Sequence, residues 1–186
     1  MKVLILAGGL GTRISEESHL KPKPMIEIGE MPILWHIMKY YSSYGFKEFI
    51  ILAGYKQYLI KEYFANYFLH NADITFDMAK NTMEVHNSEA EDWKVTVVDT
   101  GLHTMTGGRI KRVEKYLHDE PFMLTYGDGV SDVNLQELLA FHKKKGKVAT
   151  ITMVNLTQQK GVLDVDKEGI IHSFREKEEK DGAVIN

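Results

Sequence analysis

The sequence predicts an α/β protein: a Rossmann-like, mostly parallel twisted sheet flanked by helices, with a small β-hairpin towards the end. Three observations predict it. Short runs of apolar and β-branched residues recur, Val3-Leu4-Ile5-Leu6, Phe49-Ile50-Ile51-Leu52, Val95-Thr96-Val97-Val98 and Phe122-Met123-Leu124-Thr125; unbroken runs of this kind suit strands buried on both faces. Segments with apolar residues at helical spacing lie between them. Each run ends in a glycine-containing turn, at Gly8-Gly9, Gly54, Gly101 and Gly127. In open parallel sheets ligands bind beyond the carboxyl ends of the strands, so these turns are where function is expected.

Residues 3–6 are the first strand. Pro32 opens a helix whose stripe is Ile33, Leu34, Ile37, Met38 and Tyr41, because proline is favoured in a first turn; Gly45 can end it. After the strand at 49–52, Leu59, Ile60, Tyr63, Phe64, Tyr67 and Phe68 fall on one helical face and read as core. Residues 74–78 alternate like a strand. Residues 80–93 are polar, with three acids between Glu89 and Asp92, and read as a long loop of the kind used for lids or partner contacts. The strand at 95–98 is followed by Asp99-Thr100-Gly101, and a helix is expected over 109–117. After the strand at 122–125, Leu135, Leu138 and Leu139 mark a helix over 134–144. Residues 149–154 read as a fifth strand. Residues 162–165 and 170–174 read as a hairpin around Asp166-Lys167-Glu168-Gly169.

With 186 residues, one domain spanning 1–186 is expected, long enough for a sizeable core. A net charge of −3 gives no basic footprint for a nucleic-acid polymer, so an anionic ligand must be met by a local cationic pocket. The chain has no cysteine, which excludes disulfides, thiolate metal sites and thiol catalysis. The first apolar run is too short for a signal peptide or a membrane span, so a cytoplasmic protein is expected. The eight histidines are scattered without metal-ligand spacing, and no G-x-S-x-G elbow occurs.

The chemistry concentrates in the first turn, Ala7-Gly8-Gly9-Leu10-Gly11-Thr12-Arg13, and in Lys21-Pro22-Lys23-Pro24. Glycines can adopt positive φ and carry no Cβ, so a phosphate or base can approach the backbone closely. Thr12 offers a hydroxyl, and Arg13 and Lys23 offer charge suited to phosphate oxygens. The P-loop spacing is absent. The dinucleotide pattern G-x-G-x-x-G also fails, since the third position after Gly9 and Gly11 is Ile14. Asp128, between Gly127 and Gly129 after a buried strand, is the best metal-ligand candidate. Asp132 reads as a surface turn or an outer group. In the pair Asp164 and Asp166, the second reads as a turn residue.

These residues resemble the signature of the sugar-nucleotide pyrophosphorylases, nucleotidyltransferases that join a sugar 1-phosphate to a nucleoside triphosphate. The resemblance extends over nearly the whole chain, through Pro32-Ile33-Leu34-Trp35-His36-Ile37-Met38, residues 60–68, Val98-Asp99-Thr100-Gly101, Met105-Thr106-Gly107-Gly108-Arg109 and Thr125-Tyr126-Gly127-Asp128-Gly129. It is strongest to members that use CTP and α-D-glucose 1-phosphate. It implies transfer of a cytidylyl group to give CDP-glucose and pyrophosphate, a product for deoxysugar and cell-surface polysaccharide (lipopolysaccharide O-antigen) synthesis. It implies Mg²⁺ as cofactor, held by Asp128, and catalytic roles for Lys23, Arg13 and Asp128. It implies a nucleotide site at Leu6, Ala7, Gly8, Gly9, Gly11, Thr12, Arg13, Lys23, Gly54, Thr106, Gly107, Gly108, Tyr126 and Gly127. The sugar phosphate is expected at Gly161, Glu176, Lys177 and Asn186. The family tends to form symmetric homo-oligomers, with no nucleic-acid or membrane partner.

The chain also departs from the family. Members are longer, continuing into more sheet and a later aspartate that shares the metal. Glu178 stands where proline is usual, and Lys160 where an aromatic precedes Gly161. Two alternatives stay open on the sequence: the same chemistry with another nucleotide or sugar 1-phosphate, and a nucleotide-binding paralogue without catalysis.

Overall fold

A computed structural model describes residues 1–10, 20–87, 89–153 and 162–175. The contacts divide the chain into two compact units, Met1–Ser131 and Asp132–Asn186.

The first unit is built on four parallel strands, β1 (Lys2–Ala7), β4 (Glu48–Ala53), β7 (Lys94–Asp99) and β8 (Phe122–Tyr126), in the order β7-β4-β1-β8. The two central strands pair in register, Val3 with Phe49 through Ala7 with Ala53, and are buried along almost their whole length. Their uninterrupted apolar runs follow from that double burial. On one face Val3, Ile5, Phe49 and Ile51 pack against Leu34, Ile37 and Met38 of α1 (Ile33–Ser43) and Ile60 of α2 (Gln57–His70). On the other, Leu4, Leu6, Ile50 and Leu52 pack against Val113 and Leu117, which follow α3 (Thr106–Arg112). Burying each such side chain contributes about 1.5–3 kcal/mol. Two two-residue strands, β2 (Glu27–Ile28) and β3 (Met31–Pro32), close a tight turn before α1.

The path outward from β1 to β4 and β7, then back to β8 on the other side of β1, makes a topological switch point between β1 and β8. The crevice beyond their carboxyl ends is where such sheets bind ligands.

Several expectations change. Residues 80–93 are not one long loop. Thr82–His86 forms β6 and pairs antiparallel with β5 (Asp73–Asp77). The turn between them is closed by Asn81 at φ 53° and by Asp77, whose carboxylate accepts from the N–H groups of Ala79 and Lys80. The alternation Met83, Val85 was the strand signal, hidden among polar neighbours. Ile74 faces Val85 and Phe76 faces Met83, with Phe76 60% exposed. The helix expected over 109–117 starts earlier, at Thr106, and ends at Arg112, where it tightens into a 3₁₀ turn at Glu114–Tyr116. Val113 and Leu117 flank that turn and are both buried against the sheet. In α2, Phe68 turns outward rather than into the core.

In the second unit, α4 (Leu135–Lys145) is capped by Asn134, whose Oδ1 accepts from the N–H groups of Gln136 and Glu137, and ends at Gly146 with φ 60°. β9 (Val162–Val165) and β10 (Ile171–Arg175) form the expected hairpin. Asp166 is its turn residue, accepting from Glu168 and Ile170 N–H. The strand expected over 149–154 is absent among the described residues 149–153. Ile151 and Met153 instead line a hollow of about 270 Å³ with Phe141, Val165 and Ile170 and stay exposed. Among the described residues no helix is long and apolar enough to cross a membrane.

Candidate nucleotide site

At the switch point the end of β8 is drawn onto β1. Gly127 N–H donates to Leu6 O at 2.9 Å. A Cβ on Gly127 would lie 2.9 Å from Leu6 O and 3.0 Å from Pro24 Cγ, so only glycine lets the strand end, β1 and the Lys-Pro-Lys-Pro segment meet. That segment forms a 3₁₀ turn, Lys23–Met25, with Pro24 and Met25 buried and Met25 N–H bonded to Pro22 O at 2.8 Å. The two prolines fix φ and leave the lysine side chains to point where the turn sends them. Lys21 Nζ lies 2.5 Å from Glu27 Oε1. Lys23 Nζ reaches the switch point and stands 3.9 Å from Asp128 Oδ2. This contact is long and partly solvated, so both groups stay available to a ligand.

Next to this pair lie Leu6 and Ala7, buried at the end of β1, then the buried Gly8 and the exposed Gly9. Tyr126 ends β8 and is exposed. Gly54, Thr106, Gly107 and Gly108 sit in the neighbouring turns beyond β4 and β7, with Thr106 to Gly108 in the first turn of α3. Gly11, Thr12, Arg13, Gly161, Glu176, Lys177 and Asn186 lie outside the described residues. Among the described residues no group of three histidines, cysteines or carboxylates could hold a metal, which leaves Asp128 as a lone carboxylate beside the open backbone of Gly129.

A residue the sequence reading passed over organises these turns. Arg109, only 5% exposed, extends from α3 beneath them. Its Nη1 donates to Thr100 Oγ1 at 2.7 Å, Gly101 O at 2.8 Å and, more weakly, Ala53 O at 3.4 Å; its Nη2 donates to Gly8 O at 2.9 Å and Leu102 O at 3.2 Å. One guanidinium thus links the turns after β1, β4 and β7. Thr100, fully buried, adds a donor bond from its hydroxyl to Ala53 O at 2.7 Å. Arg112 reinforces the ring through Thr100 O at 2.5 Å. Burial, with Arg112 as a neighbour of like charge, lowers the Arg109 pKa, and Asp99 opposes that shift. Asp99 is held below the usual carboxylate range by hydrogen bonds from Gln57 and from Gly101 N–H.

Arg109 also explains two glycines differently from the sequence. Gly8 does not occupy the left-handed region. A Cβ there would lie 2.0 Å from Arg109 Nη1, and one on Gly54 would lie 2.7 Å from both Arg109 Nη1 and Gly8 O. The space freed by these glycines is filled from below by the arginine. The usable signal was a glycine at every turn beyond the strands together with an arginine directly after Gly107-Gly108.

The family model described as nucleotidyl transferase matches residues 2–184. The chain is 59% identical to glucose-1-phosphate cytidylyltransferase of Salmonella typhimurium, over all of this chain and 72% of that protein. It is 31% identical to the D-glycero-alpha-D-manno-heptose 1-phosphate guanylyltransferase of Campylobacter jejuni, over all of this chain and 73% of that one. Among solved structures, HddC from Yersinia pseudotuberculosis complexed with GMP-PN superposes with a TM-score of 0.69 at 25% identity, covering 98% of this chain and 71% of that one.

Proposed function

The chain belongs to the nucleotidyl transferase family, and on that premise we propose that it transfers a cytidylyl group from CTP to α-D-glucose 1-phosphate, releasing pyrophosphate and forming CDP-glucose. The choice of substrates rests on the 59% identity to a glucose-1-phosphate cytidylyltransferase, against 31% to a guanylyltransferase. The observation that carries the site is the meeting of Lys23 and Asp128, 3.9 Å apart, at the topological switch point.

A phosphate oxygen of the sugar attacks the α-phosphorus of CTP, forming one P–O bond. The bond from the α-phosphorus to the bridging oxygen of the β-phosphate breaks in line, and pyrophosphate leaves with that electron pair. The nucleophile is already an anion, so no general base is needed. The work is positioning and charge neutralisation. Lys23 places its ammonium on the non-bridging oxygens of the α-phosphate and the sugar phosphate. The open backbone at Gly9, beyond β1, lets the base approach backbone donors and acceptors. Arg13 is assigned to the β- and γ-phosphates by its place in the motif, and Glu176 and Lys177 to the sugar phosphate. Asp128 fits Mg²⁺, a hard cation that takes one or two carboxylates and fills its shell with water and phosphate oxygens. When bound, the ion would neutralise triphosphate charge.

Calorimetric titration with CTP, UTP, dTTP, ATP and GTP in Mg²⁺ tests the nucleotide. Tightest binding of CTP supports the assignment, and tightest binding of another nucleotide replaces it. Lys23→Ala and Asp128→Ala are each expected to lower turnover by about 10³-fold or more, the scale on which a positioned charge at a transferring phosphoryl group acts. Rates within tenfold of wild type would remove either residue from its role.

A further inference from the structure

We infer that Arg109 is a positioning residue for the nucleotide, one that never touches the ligand but sets the backbone N–H groups that do. The inference rests on the nucleotidyl-transfer reading and names the part of the site that reads acceptor atoms. All four Nη hydrogens of Arg109 are spent on protein acceptors, five atoms in three turns. The side chain is buried, and no ion pair joins it to a carboxylate among the described residues. Its charge is met by carbonyl and hydroxyl dipoles.

The consequence follows from peptide geometry. A trans peptide points its C=O and its N–H in opposite directions, and no cis peptide occurs here. Each carbonyl turned down onto Arg109 therefore turns the next residue's N–H away from it. Gly8 O orients the Gly9 N–H, Gly101 O the Leu102 N–H, and Leu102 O the His103 N–H. None of these three N–H groups donates a hydrogen bond among the described residues, and Gly9, Leu102 and His103 are exposed beyond the strand ends. They form a row of open donors above a buried cation that no direct ion pair neutralises among the described residues. A nucleotide carries matching acceptors in its phosphate oxygens and in the O2 and N3 of cytosine. The guanidinium holds the donors in place before the ligand arrives, so less ordering remains to be done on binding.

The test uses the enzyme with Arg109→Met, Arg109→Lys and the milder Thr100→Val, which removes one hydroxyl from the ring. Steady-state kinetics with each substrate varied in turn are read alongside calorimetric binding of CTP, UTP and GTP. Arg109→Met is expected to raise KM for CTP by 100-fold or more, with KM for glucose 1-phosphate and kcat at saturation within about threefold. Lysine, a point charge that cannot span five acceptors, recovers less than tenfold of that loss. Thr100→Val is expected to raise KM for CTP about tenfold. A CTP KM within threefold of wild type in Arg109→Met overturns the inference, as does an equal loss in both KM values and kcat. If Arg109→Met does not fold, Thr100→Val decides: a selective rise in CTP KM supports the role, and no rise overturns it. A wild type that prefers UTP or GTP overturns the cytidylyl assignment and not the Arg109 role, which then predicts the same selective loss for that nucleotide.

Discussion

Arg109 and Glu91 each gather several partners around a single charge, on the two sides of one sheet. Arg109 comes from α3 and binds only carbonyls and a hydroxyl. Glu91 lies among α1 and α2. Its carboxylate accepts from Tyr67 OH and from Lys39 Nζ at 2.9 Å, while Trp35 Nε1 donates to the same Tyr67 oxygen at 2.7 Å. Lys39 neutralises Glu91 and also sits 5.3 Å above the Trp35 ring. Around them Phe49, Tyr63, Tyr67 and Trp93 stack edge to face or in parallel. The acid hub is locally neutral and closed, and fastens two helices to the core. The arginine hub keeps its charge and turns backbone donors outward. A charge paired directly with an opposite one builds structure, whereas one hydrogen-bonded only to dipoles can still act on a ligand.

The comparison can be broken at its strongest point first. Gly54→Ala places a Cβ 2.7 Å from Gly8 O and 3.0 Å from Gly101 O, both backbone atoms that cannot swing aside. Overpacking of this kind costs about 3 kcal/mol, and CTP affinity should fall with it, read by thermal unfolding and calorimetry together. Retained affinity would mean the turns can shift without harm. Glu91→Ala should cost about 2 kcal/mol, the scale of hydrogen bonds to a charged group, while kcat and both KM values stay within twofold. A change confined to nucleotide binding would show that the two hubs are not separate.

Tyr67→Phe removes the hydroxyl that bridges Trp35 and Glu91 and should cost about 1 kcal/mol. Burial and the neighbouring Glu91 raise the Tyr67 pKa, so its hydroxyl stays protonated and available as a donor. The smallest effect separates the hubs by pH. Burial alone would raise the Glu91 carboxyl, but the bonds from Tyr67 and Lys39 outweigh it and hold it below its ordinary value of 4.5. A depressed folded-state pKa contributes stability above the unfolded value, lost as pH falls through the folded one. Between pH 6 and 3 the wild type should lose more stability than Glu91→Gln, measured by unfolding at each pH. Equal slopes would exclude Glu91 as the cause. The guanidinium of Arg109 stays charged throughout that window.

The sheet was legible because its strands announce themselves: β1 and β4 are apolar at nearly every position, which only burial on both faces requires. The Lys23–Asp128 meeting was legible because both residues stand in short motifs beside strand ends. Of the β5–β6 hairpin only β5 was legible; β6 was not, since Met83 and Val85 face solvent among polar neighbours. The strand expected at 149–154 misled, because the apolar run at 149–153 lines an open hollow without a ladder partner among the described residues. Arg109 escaped for another reason. Periodicity finds apolar faces, and nothing in a periodic pattern marks a cation whose partners are main-chain oxygens from three distant turns.

The strand order also sets a timetable for synthesis. β1 is complete after residue 7 and one of its edges is covered once residues 48–53 exist, but its other edge pairs with Phe122–Tyr126. For more than a hundred residues of translation the central strand therefore carries an open edge lined by valine, leucine and isoleucine. The ribosome must deliver the end of the switch point before that edge can be closed.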